Sequence, residues 1–210
     1  MKYVSVVDYG MGNLLSVQRA LEQCGAQVRF VSRPGQIVEA ERLVLPGVGA
    51  FQDGMKELRE RRLDDELRAF VAAGRPLLGI CLGMQMLFDE SHERGVHAGL
   101  GLVAGRVVAV PERAADGRAH KIPHIGWAEL RPSRAWAGTI LDGLEPNAHA
   151  YFVHSYVTEP RRPELRLAEV DYGKMPLVAA IADGAVAGCQ FHPEKSGPVG
   201  LRVIANFLAL

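Results

Sequence analysis

The 210-residue chain carries no surplus of either charge: 24 Lys plus Arg stand against 24 Asp plus Glu. Partners rich in phosphate, nucleic acid or an anionic membrane, are gripped through excess basic charge, so this balance gives no case for either. Cysteine is scarce as well. Three residues, an odd number, do not make a disulfide framework and suit a reducing cytoplasm. Long apolar runs are missing. Val4–Val7 is interrupted by Ser5 and stopped by Asp8, short of the ~7–15-residue apolar region of a signal peptide. No segment approaches the ~20 apolar residues a membrane-crossing helix needs. Neither is there a Gly-x-x-x-x-Gly-Lys loop to cradle a nucleotide phosphate, nor a repeat, low-complexity stretch or linker. What remains is one domain over 1–210, long enough to bury roughly 70% of its unfolded surface.

The pattern of what is present changes halfway. Apolar strand-like runs near 3–8, 27–31, 42–45 and 77–80 alternate with helical patterns near 13–23, 36–41 and 54–73. Such alternation predicts a mostly parallel open sheet with helices on both faces. After residue 100 come short β-rich runs (102–110, 151–157, 165–170, 178–181 and 186–191) split by Pro and Gly. These predict a smaller antiparallel extension and the last core strand, closed by a helix over 198–210. Cys24 falls on the stripe Leu14, Val17, Leu21, Cys24 and is expected in the core.

Gly79-Ile80-Cys81-Leu82-Gly83 lies where a buried strand should become a helix running from Leu82 towards Phe88. Gly-x-Cys-x-Gly there is the cysteine form of the nucleophile elbow. The flanking glycines leave room for a bend that Cβ atoms would block. The bend lifts the sulfur over a helix N-terminus, whose dipole favours thiolate. The competing account is an inert buried cysteine. A nucleophile needs a base, and the strand ending in Gln190-Phe191-His192-Pro193-Glu194 offers one. Pro193 cannot donate to a ladder and ends the strand. His192 takes and returns the proton, and Glu194 fixes its tautomer. Alone, His-Pro-Glu is equally a solvated turn. Pro46-Gly47-Val48-Gly49 follows the strand at Arg42–Leu45; its backbone N–H groups can approach a substrate, or it is an ordinary turn.

Two other motifs touch on cofactor and metal binding. Gly10-Met11-Gly12-Asn13-Leu14-Leu15 has the outline of a dinucleotide fingerprint. Its sixth position is Leu15, and the next strand ends in Phe30-Val31-Ser32 with no ribose-binding acid. His92, His97, His120 and His124 lie in polar, loop-like surroundings without a cysteine or carboxylate cluster, and no metal or cofactor is expected.

Together, Pro46-Gly47-Val48-Gly49, Gly79-Ile80-Cys81-Leu82-Gly83-Met84-Gln85 and Phe191-His192-Pro193-Glu194 resemble the class I (triad) glutamine amidotransferases over essentially the whole chain. Within them the chain is most similar to the glutaminase subunits of imidazole glycerol phosphate synthase. That similarity is carried by Asp8-Tyr9-Gly10-Met11-Gly12-Asn13-Leu14, Lys121-Ile122-Pro123-His124-Ile125-Gly126-Trp127, Tyr151-Phe152-Val153-His154-Ser155-Tyr156 and Glu194-Lys195-Ser196.

The resemblance implies Cys81 as nucleophile, His192 as base and Glu194 as its orienting partner. It implies an oxyanion hole from the amides of Val48 and Leu82. Glutamine would be held by Gly47, Gly49, Gln85 and the backbone around Ser155 and Tyr156. It also implies a heterodimer with a (β/α)₈-barrel cyclase that receives ammonia out of contact with solvent and makes imidazole glycerol phosphate and an aminoimidazole carboxamide ribotide. That interface is expected around 47–53 and 120–128, with His124 and Trp127 as contacts; a core position for Trp127 is the alternative. Ala128 stands where the subfamily usually has Asn, which bears on the interface and not on the triad. A glutaminase serving another synthase, a hydrolase of a different amide or ester, and a non-catalytic binding module remain the competing functions. The Gly47-Val48-Gly49 loop is expected to be flexible enough to hold an incomplete oxyanion hole at rest.

Overall fold

A computed structural model describes residues 2–145 and 147–210. Its centre is an eight-stranded sheet in the spatial order β2-β1-β3-β4-β14-β13-β12-β9. The parallel half consists of β2 (Ala26–Val31), β1 (Lys2–Val7), β3 (Leu43–Leu45), β4 (Leu77–Ile80) and β14 (Val186–Cys189). β13 (Met175–Asp183), β12 (Arg166–Tyr172) and β9 (Arg131–Pro132) continue it antiparallel. β3 and β4 are buried at every position, as a sheet covered on both faces requires.

The chain reverses its direction across the sheet after β1. The step β1→β2 goes one way and β3→β4 the other. Right-handed crossovers therefore put α1 (Leu14–Gln23) on one face and α2 (Phe51–Glu60) with α3 (Asp64–Ala72) on the opposite one. α4 (Leu82–Met86) follows β4, and α5 (Gly197–Phe207) packs on α1.

The antiparallel extension is two further sheets. β5 (Phe88–Ser91), β6 (His97–Ala98), β7 (Val103–Ala109) and β11 (Tyr156–Pro160) form one, in the order β11-β7-β5-β6. β8 (His124–Glu129) and β10 (His149–His154) form a ribbon that pairs His124 with His154 and Trp127 with Tyr151.

The expected helix at 36–41 is absent. Bends and turns occupy that stretch: Arg29 donates to the Gln36 carbonyl at 3.2 Å, the first acceptor a helix there would use, and the Ala40 amide turns back to the Ile37 carbonyl at 3.0 Å. The single helix expected over 54–73 is two, divided where Arg62 adopts φ +56°. The run 151–157 is likewise two strands in different sheets, parted at Ser155. Phe88, expected in a helix, opens β5. Cys24 is partly buried against the core, its thiol donating to the Leu201 carbonyl at 3.3 Å. Among the described residues no helix is long and apolar enough to cross a membrane.

Candidate active site

The carboxyl ends of β1, β3, β4 and β14 converge on one region, the place where an open α/β sheet binds ligands. Cys81 sits at the β4–α4 elbow with φ +53° and ψ −111°. This is a strained conformation for any residue with a Cβ. The neighbours over-determine it. The Cys81 amide donates to the Cys189 carbonyl at 2.8 Å. A Cβ at Gly83 would stand 1.8 Å from the Leu45 carbonyl oxygen, so only glycine lets α4 start this close to β3.

His192 is 2% exposed and accompanies Cys81 in lining a cleft of about 430 Å³. Its Nδ1 donates to Glu194 Oε1 at 2.8 Å, and the Glu194 side chain is itself 1% exposed. The ring's far side, Nε2, closes no well-aligned hydrogen bond. Burial alone would lower the pKa of His192. Hydrogen bonding and charge from Cys81 and Glu194 outweigh it and raise the pKa to about 9. At neutral pH the ring is therefore an imidazolium, bonded to Glu194 and beside Cys81.

β14 ends at Cys189, two residues before the end expected for that strand. The chain beyond it is pinned to the ribbon. The His192 amide donates to the Tyr151 carbonyl at 2.9 Å, and the Tyr151 amide to Ser196 Oγ at 2.9 Å.

The loop after β3 is anchored from below. Tyr9, fully buried, donates its hydroxyl to the Pro46 carbonyl at 2.8 Å. Its pKa is driven far up by burial and then by the charge of Cys81. A Cβ at Gly47 would fall 2.4 Å from that hydroxyl. Of the two amides expected in the oxyanion hole, Leu82 already donates to the Gly47 carbonyl, at 3.3 Å. Val48 is 42% exposed and, with Gly49, forms one wall of the cleft.

Gln85, Ser155 and Tyr156 line the same cleft. Their polar groups are partly committed. Gln85 Nε2 donates to the Tyr156 carbonyl at 3.2 Å and to Gln190 Oε1 at 3.0 Å. The Ser155 carbonyl accepts the Val110 amide at 2.9 Å.

Sequence reasoning missed three residues. Gln190, fully buried, points its Nε2 at Cys81 Sγ, 3.6 Å away. It was legible only as a strand position next to the His-Pro-Glu turn. Glu93 and Arg94 also line the cleft, and Glu93 accepts the Phe51 amide at 2.7 Å, tying its loop to the start of α2. No local pattern marks either one.

The two expected interface residues part company. Trp127 is 57% exposed on β8 beside Ile125, also 57%. His124, in contrast, is 4% exposed, against the rings of Phe152 and Tyr172. Alternation along β8 turns it inward while Ile125 and Trp127 face out, so the His124 side chain lies inside the chain and not on the exposed face that carries Trp127. Ala128 packs partly against the core, opposite Ala150. Among the described residues no group of three or more His, Cys, Asp or Glu side chains is arranged to hold a metal. His92 bonds Glu90, and His120 bonds the Pro111 carbonyl.

A buried cysteine at a strained elbow, sharing a cleft with a His–Glu pair at the end of a parallel sheet, defines a cysteine-dependent amide-transfer site. The profile of the family "Glutamine amidotransferase class-I" matches residues 5–210, and the chain belongs to that family. Among individual proteins it is 51% identical to imidazole glycerol phosphate synthase subunit HisH 1 of Legionella pneumophila (strain Lens), over the full length of both chains. It is 46% identical to the HisH subunit of Geobacillus thermodenitrificans (strain NG80-2), over 100% of this chain and 97% of that one. The fold is similar to PurLQS from Thermotoga maritima at TM-score 0.75, with 21% identity over 100% and 99% of the two chains. A solved glutamine amidotransferase matches at TM-score 0.71 and 25% identity, over 99% of each chain.

Proposed function

We propose that this chain, as a single glutamine amidotransferase domain over 1–210, hydrolyses L-glutamine to glutamate and ammonia through a γ-glutamyl thioester on Cys81. The ammonia passes to the cyclase subunit of an imidazole glycerol phosphate synthase in histidine biosynthesis. The observation that carries the catalytic part is the His192–Glu194 bond of 2.8 Å in the cleft that holds Cys81. The identity of the partner is carried by the 51% match to a HisH subunit. Three free cysteines are compatible with a cytoplasmic setting.

In this reading the Cys81 thiolate attacks the γ-carboxamide carbon, and the carbonyl oxygen becomes an oxyanion. His192, already protonated, gives its proton to the departing nitrogen, and ammonia leaves. The thioester is then attacked by water, whose proton His192 takes. A second oxyanion collapses to release glutamate and regenerate the thiolate. Glu194 stabilises the imidazolium throughout. Glu93 and Arg94 supply opposite charges for the α-ammonium and α-carboxylate of glutamine, and Gln85 retains Oε1 for a ligand contact.

Both oxyanions need amide donors from Leu82 and Val48, and at rest the Leu82 amide is engaged by Gly47. The free chain therefore turns over slowly, and the ligand-loaded cyclase activates it by releasing that amide. Trp127 anchors the partner through its exposed ring.

The test is glutamate release from L-glutamine by wild type and Cys81→Ala, alone and with the cyclase plus its nucleotide ligand. Release that needs Cys81 and rises with the loaded cyclase is expected. Release that ignores the cyclase moves the glutaminase to another synthase. No release in either condition leaves a binding module.

A further inference from the structure

Behind the cleft runs a line of side-chain hydrogen bonds whose direction is set at every step. The Tyr156 carbonyl can only accept. His154 Nδ1 donates to it at 2.8 Å, so the nitrogen on the other side of that ring, Nε2, is the acceptor for His124 Nδ1 at 3.0 Å. Burial keeps His154 neutral, its pKa lowered to about 4. Gln85 Nε2 also donates to Tyr156, at 3.2 Å. That places the second N–H of the same nitrogen on Gln190 Oε1, at 3.0 Å. With its oxygen claimed, Gln190 has one orientation left: its Nε2 faces the Cys81 sulfur at 3.6 Å. The Gln190 backbone is fixed too, its amide donating to the Ala179 carbonyl at 2.8 Å.

A fully buried amide is costly unless its N–H groups meet an acceptor. A neutral thiol is a poor acceptor, whereas a thiolate forms a charge-assisted hydrogen bond of about twice the strength. We propose that Gln190 is a positioning residue for the nucleophile: its amide, aimed by Gln85, donates to the Cys81 sulfur and holds it as the attacking anion. The inference rests on Cys81 being the nucleophile. It assigns a task to a residue outside the Cys-His-Glu set, one that acts together with the imidazolium in favouring the sulfur anion. The titratable groups that act on the sulfur are His192 just after β14, Tyr9 just after β1 and Cys189 within β14, with Glu194 behind His192.

The experiment is alkylation of the full-length chain by iodoacetamide across pH 5 to 10, following the Cys81 peptide by mass spectrometry, in wild type and Gln190→Met. Methionine keeps the volume and removes the donor. The half-maximal pH for labelling is expected to rise by about one unit, with labelling about tenfold slower at pH values below the wild-type midpoint, as loss of a hydrogen bond to a charged group predicts. Glutamine turnover should fall in kcat with KM nearly unchanged. Superimposable labelling profiles would overturn the proposal and leave Gln190 as packing. Should Gln190→Met fail to fold, Gln85→Met keeps Gln190 but frees its orientation. A smaller upward shift is then expected, and no shift overturns the proposal. Glutamate release by Cys81→Ala would instead sink the nucleophile reading, while the labelling profile would still judge the Gln190–sulfur contact by itself.

Discussion

The Gly47 carbonyl accepts the Leu82 amide at 3.3 Å, so one of the two donors expected for an oxyanion is spent inside the protein. Alkylation and hydrolysis then report different things. Iodoacetamide needs only the thiolate, whereas glutamine hydrolysis also needs the amide. Adding the loaded cyclase should change Cys81 alkylation by no more than about threefold. Glutamate release should rise by about 10²-fold or more, the usual worth of one oxyanion donor. Parallel changes in both rates would place the control at the sulfur instead of the loop.

His192 gives the fold a pH dependence of known sign. Its pKa moves from the ordinary 6.5 up to about 9 in the folded chain. The imidazolium therefore adds stability that is fully present below about pH 6.5 and is lost as pH rises through about 9. Urea denaturation of wild type and His192→Asn should show a stability gap at pH 6 that shrinks by pH 10. Glu194→Gln, which removes the carboxylate bonded to the ring, should move that loss to lower pH and reduce turnover by at least about 10²-fold. A gap that does not change with pH would mean the ring is neutral at rest.

Gly83→Ala should be among the most damaging single changes in the chain. The new methyl carbon would lie 1.8 Å from the Leu45 carbonyl oxygen, and backbone has to move to relieve the clash. A loss of about 3 kcal/mol or more is expected from the urea midpoint, in the upper range for overpacking. A variant within about 1 kcal/mol of wild type would show that β3 and α4 can separate freely.

Trp127→Ala should separate folding from assembly. With the ring 57% exposed, chain stability should stay within about 0.5 kcal/mol. Affinity for the cyclase should fall by about 2 kcal/mol, or about thirtyfold, as for an aromatic anchor. Unchanged affinity by calorimetry would remove Trp127 from the interface.

The elbow and the His-Pro-Glu turn were readable because their chemistry is local: glycines flank the bend, and proline stops the strand. The mostly parallel sheet was readable from the alternation of apolar strands with helical stripes. The failures share a different cause. At 36–41 the Gln36 carbonyl, the first acceptor a helix there would use, is taken by the Arg29 side chain from β2. The break between α2 and α3 depends on a left-handed Arg62, a residue with no turn signature. Gln190 lay in plain view beside His192, but its aim follows from Gln85, 105 positions earlier. His124 was named a contact only by resemblance, and the alternation of β8 that turns it inward depends on a strand the sequence analysis did not place.

Tyr151 is bonded through its carbonyl to the His192 amide and through its amide to Ser196, while its strand partner Trp127 stands in solvent. The β8–β10 ribbon is thus a connecting rod, with a handle outside and His192 at its inner end. Backbone hydrogen bonds tolerate little stretch, so displacement of the handle becomes displacement of the imidazole.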